Sequence, residues 1–326
     1  MRPNRMLILA AALATFITGC AQRPLHSWHD GPAKSSILGF VDQVSDPASP
    51  HHVPRDERIA VFDNDGTLWA EQPAYFQLLF AIDRVKQLAP QHPDWNHTEP
   101  FKSVLEGDTH ALAAQGEHAV AQLIAQTHAV MTTDEFQSTV RDWLRTARHP
   151  QLNRPYTQCV YQPMLELLDH LRARGFKTYI VSGGGIEFLR VFAQELYGIP
   201  PEQVIGSSGK VTLEMRNGAP VLIKQPQISF IDDKAGKPIA INLHIGRRPI
   251  IAVGNSDGDL QMLQWTDAGD RPSLCMLVHH DDPDREWAYD RHSHIGQLDE
   301  ALDAASANDW TIISMRRDWT LIFPRP

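Results

Sequence analysis

The sequence predicts an α/β fold, a doubly wound parallel sheet with a helical cap inserted after its first strand. Short apolar runs alternate with amphipathic helices, and a polar residue follows several of those runs directly, as at the strand ends of such sheets. A long, mainly helical stretch then interrupts the alternation, which predicts the cap. We therefore expect the core to comprise residues 57–70 and 156–326 and the cap to comprise residues 71–155.

The chain begins with a segment that is typical of a secretory signal peptide. Two arginines precede a fifteen-residue uncharged run, which is shorter than the roughly 20 residues of a spanning helix. The run ends in Ile17-Thr18-Gly19-Cys20, which resembles the lipobox of bacterial lipoproteins. We expect residues 1–19 to be removed and a lipidated Cys20 to anchor the protein in the periplasm, with Ala21 favouring the outer membrane. The alternative is an ordinary cleaved signal with an incidental cysteine.

Composition limits the classes of partner. The 326 residues contain 30 Lys and Arg against 39 Asp and Glu, for a formal charge of −9. The charge becomes −11 without residues 1–19, which carry two of the arginines and no acidic residue. This acidic balance argues against a nucleic-acid-binding protein. Cys159 and Cys275 remain besides Cys20, either as one disulfide or as buried free thiols.

The core elements follow in order from residue 20. Residues 20–56 are rich in Pro, Ser, His and Asp, and we interpret them as a tether with one short helix over Ser36–Val44. A β-branched and aromatic run bounded by polar residues predicts a first strand over Ile59–Phe62. The same reasoning predicts strands over Phe176–Val181, Pro249–Val253 and Leu274–Val278, and helices over 163–175, Ile186–Leu196 and from Leu260.

The predicted cap is built from amphipathic helices. Helical spacing of apolar residues predicts helices over Ala74–Leu88 and Ala119–Met131. Thr132 and Glu135 have the spacing of a capping box, which predicts the start of a third helix. Outside the cap, Asn217-Gly218 lies between two apolar runs and predicts a hairpin within 211–224.

Two carboxylates lie immediately after the first predicted strand. Asp63 and Asp65 are two residues apart, and Gly66 follows them. Carboxylates held this close repel each other, so the fold needs a cation or a shared proton between them. A divalent metal with oxygen ligands meets that need, whereas an EF-hand does not fit because Ala74 occupies the twelfth position of the loop.

Four separately spaced elements resemble the motifs of the haloacid dehalogenase superfamily. They are Asp63-Asn64-Asp65-Gly66-Thr67, a strand that ends in Ser182-Gly183, a downstream lysine, and residues 254–259, Gly-Asn-Ser-Asp-Gly-Asp. The resemblance implies a Rossmann-like core and covers about 200 residues outside the cap. The second aspartate is associated with phosphatases, and the helical cap is most similar to the phosphoserine phosphatase-like branch.

The resemblance also implies a role for each matched residue. Asp63 would be the nucleophile, and Asp65 would protonate the leaving alcohol and then deprotonate the attacking water. Ser182 and Gly183 would bind phosphoryl oxygens, while a lysine would stabilise their charge. Lys237 matches the third motif best; the other candidates are Lys234 and Lys224.

The resemblance implies a Mg²⁺ cofactor. The expected ligands are Asp63, Asp65 through its backbone carbonyl, Asn255 and Asp259, the last directly or by orienting ligand waters. Asn255 departs from the commoner GDxxxD form of the fourth motif, because a neutral amide stands at its first acidic position. Asp257 is a further candidate through a water molecule. A tight turn that caps the following helix would explain the composition of residues 254–259 equally well.

These predictions lead to an Mg²⁺-dependent phosphomonoesterase that acts on a small phosphorylated substrate and is lipid-anchored in the periplasm. A phosphotransferase with the same intermediate and a non-catalytic phosphate-binding lipoprotein are the alternatives. Glu71 and Gln72 are candidate substrate contacts at the entrance to the cap. Arg247-Arg248 and His279-His280 are candidates for a phosphate-steering patch, with solvated loops as the alternative.

Overall fold

The structure, a computed structural model, describes residues 24–108, 111–112 and 115–325. The predicted signal peptide over residues 1–19 and the predicted lipidation site Cys20 lie outside these residues. No helix within the described ranges is long and apolar enough to cross a membrane.

A sheet of eight strands organises the described residues. The strands run in the order β4-β3-β2-β1-β5-β6-β7, and β8 pairs with β6. All pairings are parallel except β3 with β4 and β6 with β7. The strands are β1 (Ile59–Phe62), β2 (Lys177–Gly185), β3 (Val204–Arg216), β4 (Ala219–Phe230), β5 (Ile251–Gly254), β6 (Leu274–Asp281), β7 (Ala288–Tyr289) and β8 (Thr311–Ser314).

The strand order reverses direction beside β1. From β1 the chain builds outward through β2 and β3 on one side, and later through β5, β6 and β8 on the other. Phe62, at the end of β1, is opposite Ile180 on β2 and Val253 on β5. Ligands of open α/β sheets bind outside the carboxyl ends of the strands at such a reversal. The sheet therefore places its natural site directly beyond Phe62.

Helices cover both faces of the sheet, as the predicted doubly wound architecture requires. Ala60 and Phe62 point into one hydrophobic core, while Ile59 and Val61 point into the other, which follows from the two-residue period of a strand. The helices are α1 (Pro32–Ser45), α2 (Phe76–Leu88), α3 (Phe101–Glu106), α4 (Gly116–His128), α5 (Thr133–Thr146), α6 (Gln162–Ala173), α7 (Ile186–Leu189), α8 (Ala193–Tyr197), α9 (Gly236–His244), α10 (Leu260–Asp267), α11 (Glu300–Ala307) and α12 (Met315–Asp318).

Helix α1 corrects the prediction of a tether over residues 20–56. The helix is longer than the predicted Ser36–Val44, and it buries Ile37, Val41 and Val44 completely in the larger hydrophobic core. These three side chains recur at helical spacing, so one apolar stripe of α1 faces the core. The described residues from 24 onward are therefore part of the folded body.

The cap consists of α2 to α5 together with the far end of the β3–β4 hairpin. Helices α2, α3 and α4 share a separate hydrophobic cluster that includes Val85 and Leu123, whereas α5 packs Phe136 and Val140 into the larger core. The predicted capping box is present at the start of α5, where Thr132 and Glu135 exchange side-chain-to-backbone hydrogen bonds. Backbone hydrogen bonds tie the hairpin to the cap: the Val130 N–H donates to the Lys224 carbonyl and the Lys224 N–H to the Met131 carbonyl, each across 2.9 Å.

Two predicted boundaries differ from the structure. Strand β2 continues to Gly185 beyond the predicted end at Val181, with a register irregularity against β3 between Ser182 and Gly185. The helix predicted over Ile186–Leu196 is divided into α7 and α8. The division occurs because Phe192 has a φ of −123°, outside the helical range. The predicted hairpin is present, and its turn residues Asn217 and Gly218 both have positive φ, as such a turn requires.

Candidate active site

The loop after β1, which carries the two aspartates, is hydrogen-bonded to β5 and β6. The Asp63 N–H donates to the Val253 carbonyl across 2.9 Å, which fixes the loop to β5. Gly66 has a φ of +73°, and a Cβ there would lie 2.1 Å from the Asn255 amide nitrogen, so only glycine fits. His280 Nε2 donates to the Gly66 carbonyl across 2.8 Å. The turn therefore brings the loop against Asn255 without a side chain in between.

Lys237 is the lysine that reaches the first aspartate. Its Nζ lies 2.7 Å from Asp63 Oδ1 and 2.6 Å from Asp259 Oδ1, and its side chain is only 2% exposed. Burial alone would lower the pKa of Lys237, but Asp259 and Asp63 raise it above its usual value, so the ammonium stays charged. The structure thus favours Lys237 among the three candidates for the third motif.

Both carboxylate oxygens of Asp259 accept hydrogen bonds from other groups of the protein. Its Oδ1 accepts from Lys237, and its Oδ2 accepts the backbone N–H groups of Asn255 at 2.9 Å and Ser256 at 3.1 Å. These bonds place Asp259 behind the site, where it orients Lys237 and the turn after β5. The geometry therefore favours a positioning role for Asp259 over the predicted direct coordination of a metal.

Asp63 and Asp65 both titrate abnormally in this environment. Burial raises the pKa of Asp63 well above its usual value, and the Asp259 and Asp65 carboxylates add to this while Lys237 opposes it. Burial raises the pKa of Asp65 to about 6, against the opposing effect of the hydrogen bond from Trp69. That bond joins Trp69 Nε1 to Asp65 Oδ1 across 2.8 Å and fixes the Asp65 side chain.

The end of β2 supplies hydroxyl and backbone donors to the same cavity. Ser182 is 1% exposed, and its Oγ accepts the Gly184 N–H across 3.1 Å, which leaves the hydroxyl hydrogen available to an anion. The Gly185 N–H donates to Gln77 Oε1 on α2 across 2.7 Å, which ties this segment to the cap. Ser182 and Gly183 line one cavity with Asp63, Asp65 and Lys237.

Asn255 connects the turn after β5 to the loop after β1. Its Oδ1 accepts from Thr67 Oγ1 across 3.0 Å, and its Nδ2 donates to Glu71 Oε1 across 2.8 Å. The Tyr289 hydroxyl donates to the same Glu71 oxygen across 2.8 Å. Burial raises the pKa of Glu71 well above its usual value, and the Asp65 and Asp63 carboxylates raise it further.

The donor set suits a hard divalent cation. Asp63, Asp65 and Glu71 form a cluster of buried carboxylates that repel one another, and Lys237 shares its charge between Asp63 and Asp259. Such an excess of negative charge is relieved by a cation with oxygen ligands. Within the described ranges, no group of three or more His, Cys, Asp or Glu side chains has metal-binding geometry. A metal here would thus depend on amide and backbone oxygens as well.

Several candidate residues lie apart from this constellation. Asp257 Oδ1 accepts the backbone N–H groups of Asp299 and Ala301, each across 2.9 Å, so Asp257 caps α11 instead of facing a metal water. Lys234 is exposed and Lys224 lies on the cap wall of the cavity. Gln72 donates to the Ile295 carbonyl across 3.2 Å.

The proposed steering patch does not form. Arg247 pairs with Asp56 at the surface, and Arg248 lies 3.6 Å from the centre of the Trp265 ring. His280 is buried rather than solvated, with Nδ1 3.1 Å from Glu286 Oε2 and Nε2 on the Gly66 carbonyl. It supports the loop after β1 from behind, a role that the sequence did not indicate.

Sequence reasoning missed other residues that shape the site. Thr67 is part of the first motif, so its contact with Asn255 had a signal in the sequence. Gln77 and Tyr289 had none, because their contacts depend on how the cap and the later strands pack against the first loop. The Trp69 contact with Asp65 is local, only four residues apart, but no motif indicated it.

The remaining cysteines are free thiols. Cys159 and Cys275 are both buried and form no disulfide. The Cys159 thiol lies 3.6 Å from the Pro155 carbonyl oxygen, and the Cys275 thiol lies 3.3 Å from the Leu263 carbonyl oxygen. Of the two interpretations from the sequence, the structure supports buried free thiols.

Several solved structures are similar to this chain. A protein of unknown function from Anaerococcus prevotii has 15% identity and a TM-score of 0.54, over 86% of this chain and 91% of that one. One of unknown function from Bordetella pertussis has 14% identity and a TM-score of 0.49, over 79% and 98%. A probable phosphoserine phosphatase from Vibrio cholerae has 16% identity and a TM-score of 0.38, over 78% and 68%. No curated protein matches the chain.

A family model gives the more decisive comparison. The model described as haloacid dehalogenase-like hydrolase matches residues 60–264, which is more than half of the chain. The match includes the loop after β1, the end of β2, Lys237 and the turn after β5, and it contains the cap. The predicted α/β fold and the predicted superfamily are both confirmed. The chain therefore belongs to the haloacid dehalogenase-like hydrolase family.

Proposed function

We propose that the protein hydrolyses phosphomonoesters through a phosphorylated Asp63. The observation that carries this proposal is the convergence of Asp63, Asp65, Ser182 and Lys237 on one cavity beneath the cap. A carboxylate nucleophile, a second carboxylate for proton transfer, a hydroxyl donor and a buried ammonium are the groups that phosphoryl transfer through an aspartyl-phosphate requires.

In the first half-reaction, an Asp63 carboxylate oxygen attacks phosphorus as the bond to the leaving oxygen breaks. Protonated Asp65 gives its proton to that oxygen, so the alcohol leaves neutral. The Lys237 ammonium and the Ser182 hydroxyl stabilise the negative charge on the phosphoryl oxygens.

In the second half-reaction, water attacks the phosphorus of the Asp63 acyl-phosphate and the bond to Asp63 breaks. Asp65, now ionised, takes the proton from this water, which returns both carboxylates to their starting states. Helices α2, α4 and α5 of the cap form part of the wall of the cavity above Asp63, and we expect them to limit the access of bulk water to the first half-reaction.

The proposal includes a Mg²⁺ ion, for which the donor set is suited. Asp63, the Asp65 backbone carbonyl and Asn255 would hold it. When bound, the ion supplies positive charge that offsets the buried carboxylates and the phosphate. Asp259 would act behind these residues through Lys237 and the Asn255 backbone.

Asp63→Asn tests the proposed chemistry because it keeps the shape of the side chain and removes the nucleophile. The assay measures phosphate release from p-nitrophenyl phosphate with Mg²⁺ by the purified protein in detergent. We expect wild-type turnover and a loss of at least about 10³-fold in the variant. Asp270→Asn, at an exposed position, is the matched control. Equal rates for wild type and Asp63→Asn would contradict the mechanism, and transfer to an added alcohol in place of water would identify a phosphotransferase.

We further propose that lipidated Cys20 holds the protein at the periplasmic face of the outer membrane. The support is the signal-like segment and the lipobox-like residues Ile17-Thr18-Gly19 before Cys20. Metabolic labelling with an alkynyl fatty acid tests this: wild type is expected to take up label and fractionate with the outer membrane. Cys20→Ala is expected to lose the label, and a labelled Cys20→Ala protein would contradict the anchor.

A further inference from the structure

The cavity above Asp63 extends well beyond the space that a phosphate group needs. It has a volume of about 350 Å³ and reaches from Asp63 and Ser182 into the cap. Its floor is polar, but its walls are largely apolar. Six of the side chains that form these walls are Leu78, Ile124, Phe136, Ile186, Phe188 and Ile228. A ligand that extends upward from a phosphate on Asp63 therefore meets aliphatic and aromatic surface.

The lysines and arginines that line this cavity are already paired. Lys237 contacts Asp63 and Asp259, as described above. Lys224 is 7% exposed, forms an ion pair with Glu187, and lies 4.6 Å from the centre of the Phe136 ring. Among the described residues, no unpaired Lys or Arg thus faces the upper cavity. A leaving group that carries a second negative charge would therefore find no unpaired Lys or Arg in the described part of the cap.

A residue that lines the upper cavity has a buried polar atom with no hydrogen-bond partner among the described residues. His128 lines the cavity at the end of α4, is 4% exposed, and its Nε2 has no hydrogen-bond partner among the described residues. Its ring centre lies 4.5 Å from that of Phe136 and 5.4 Å from that of Phe80. Burial lowers the pKa of His128 well below its usual value, and the charge of Lys224 adds to this. A neutral imidazole therefore offers one hydrogen-bonding site on an aromatic wall.

We propose that this cavity binds the uncharged, largely apolar and preferably aromatic alcohol portion of the phosphomonoester, with one polar group hydrogen-bonded to His128 Nε2. This inference rests on the proposed phosphatase activity and names the class of substrate. Contact with an aromatic group removes the apolar wall surface from water, which favours binding. The polar group of the substrate supplies the hydrogen-bond partner that His128 Nε2 lacks.

The test compares esters of primary alcohols, so that the ease of leaving stays similar. We would measure kcat/KM of the full-length protein in detergent, with Mg²⁺, for ethyl phosphate, 2-phenylethyl phosphate, 2-(4-hydroxyphenyl)ethyl phosphate and phosphoserine. We expect the two aromatic esters to exceed ethyl phosphate and phosphoserine by at least about tenfold. The hydroxylated ester is expected to be the best of the four.

Two variants test the contributions of the apolar wall and of the histidine separately. Ile228→Asp places a charge on a half-exposed wall residue, 49% exposed, whose replacement leaves the core packing intact. It should lower kcat/KM for 2-phenylethyl phosphate at least about fivefold more than it lowers kcat/KM for ethyl phosphate. His128→Phe keeps a ring and removes the polar atom, so it should abolish the preference for the hydroxylated over the plain aromatic ester. Arg141→Ala, on the exposed side of α5, is the control.

Three results would overturn the inference. Equal kcat/KM for ethyl and aromatic esters would show that the walls do not bind the alcohol. A preference for phosphoserine would show that the Lys224–Glu187 pair opens to bind a zwitterion. In both cases the phosphatase proposal survives, because esters are still hydrolysed. Turnover of none of the four esters, nor of p-nitrophenyl phosphate, would instead contradict the proposed function and with it the inference.

Discussion

The Asn255 side-chain amide donates a hydrogen bond to the buried Glu71 carboxylate across 2.8 Å. This contact gives a physical reason for the departure of the fourth motif from its commoner acidic form. An aspartate at position 255 would place a second carboxylate against Glu71, with Asp63 and Asp65 already nearby. The amide instead donates to Glu71 through Nδ2 and retains an oxygen that accepts from Thr67. The site thus keeps a carboxylate beside the turn while position 255 stays neutral.

Asn255→Asp is therefore expected to destabilise the protein when no metal is present. The new carboxylate would replace the amide that donates to Glu71 and would add a negative charge to this buried group of acids, so the free energy of unfolding in EDTA should fall by about 1–3 kcal/mol. The double variant Asn255→Asp, Glu71→Gln should recover most of this loss, because the Gln amide can donate to the new carboxylate. Chemical denaturation in EDTA measures both, with Asn217→Asp as control, because Asn217 is exposed and Asp-Gly favours the same hairpin turn. Unchanged stability of the single variant would show that the two side chains do not constrain each other.

Lys237→Met is expected to lower both stability and activity. The substitution keeps the length of the side chain but leaves Asp63 and Asp259 buried without the cation that lies 2.7 Å and 2.6 Å from them. Removing one partner from a buried ion pair costs about 3–5 kcal/mol. Denaturation with guanidinium chloride measures this loss, and Lys234→Met, three residues earlier and exposed, should have almost no effect. A Lys237→Met protein as stable as Lys234→Met would refute this account of the ion pair.

Asp232 is expected to make the stability of the protein depend on pH. It is fully buried, and burial raises its pKa from 3.8 to about 7, with Asp233 adding and Lys237 opposing. Between these values the folded state holds a proton that the unfolded state has released, so the free energy of unfolding falls as pH rises. Asp232→Asn removes this dependence. Relative to wild type, the free energy of unfolding of the variant should rise by on the order of 2 kcal/mol between pH 5 and pH 8. If the free energies of unfolding of the variant and of wild type differ by the same amount at pH 5 and at pH 8, the predicted role of Asp232 is wrong.

Cys159 and Cys275 are expected to resist thiol reagents until the protein unfolds. Burial raises the pKa of Cys159 to about 12 and raises that of Cys275 as well, which suppresses the reactive thiolate. Native protein treated with iodoacetamide at pH 8 should show neither residue alkylated by mass spectrometry, whereas unfolding in guanidinium chloride should expose both. Failure of both to react after unfolding without reductant would instead indicate a disulfide.

The sequence was sufficient for those parts of the molecule whose signals are local. The strand before Asp63, the capping box at Thr132 and the turn at Asn217-Gly218 depend on neighbouring residues, and each is present. Helix α1 was interpreted as part of a tether because its surroundings are rich in polar residues, although its apolar stripe packs into the core.

The contacts that hold the site residues in place were harder to predict, because they involve residues that are far apart in the sequence. His280 reaches the Gly66 carbonyl from β6, and Tyr289 reaches Glu71 from β7, so both contacts join segments more than 200 residues apart. Asp257 illustrates the same limit. Its place within an acidic motif predicts that it binds a metal through a water molecule. In the structure it instead caps α11 by accepting the backbone N–H groups of Asp299 and Ala301. Sequence spacing identified the motif, and packing assigned the individual roles.

The central claim is that Asp63 accepts the phosphoryl group, and a crystal structure with beryllofluoride tests it most directly. Beryllofluoride bonds to a carboxylate as phosphate does in an aspartyl-phosphate. We predict density for this group joined to an Asp63 oxygen, with Ser182 and Lys237 contacting its fluorine atoms, and none in Asp63→Asn. Beryllofluoride bound to another carboxylate while Asp63 remains free would contradict the account.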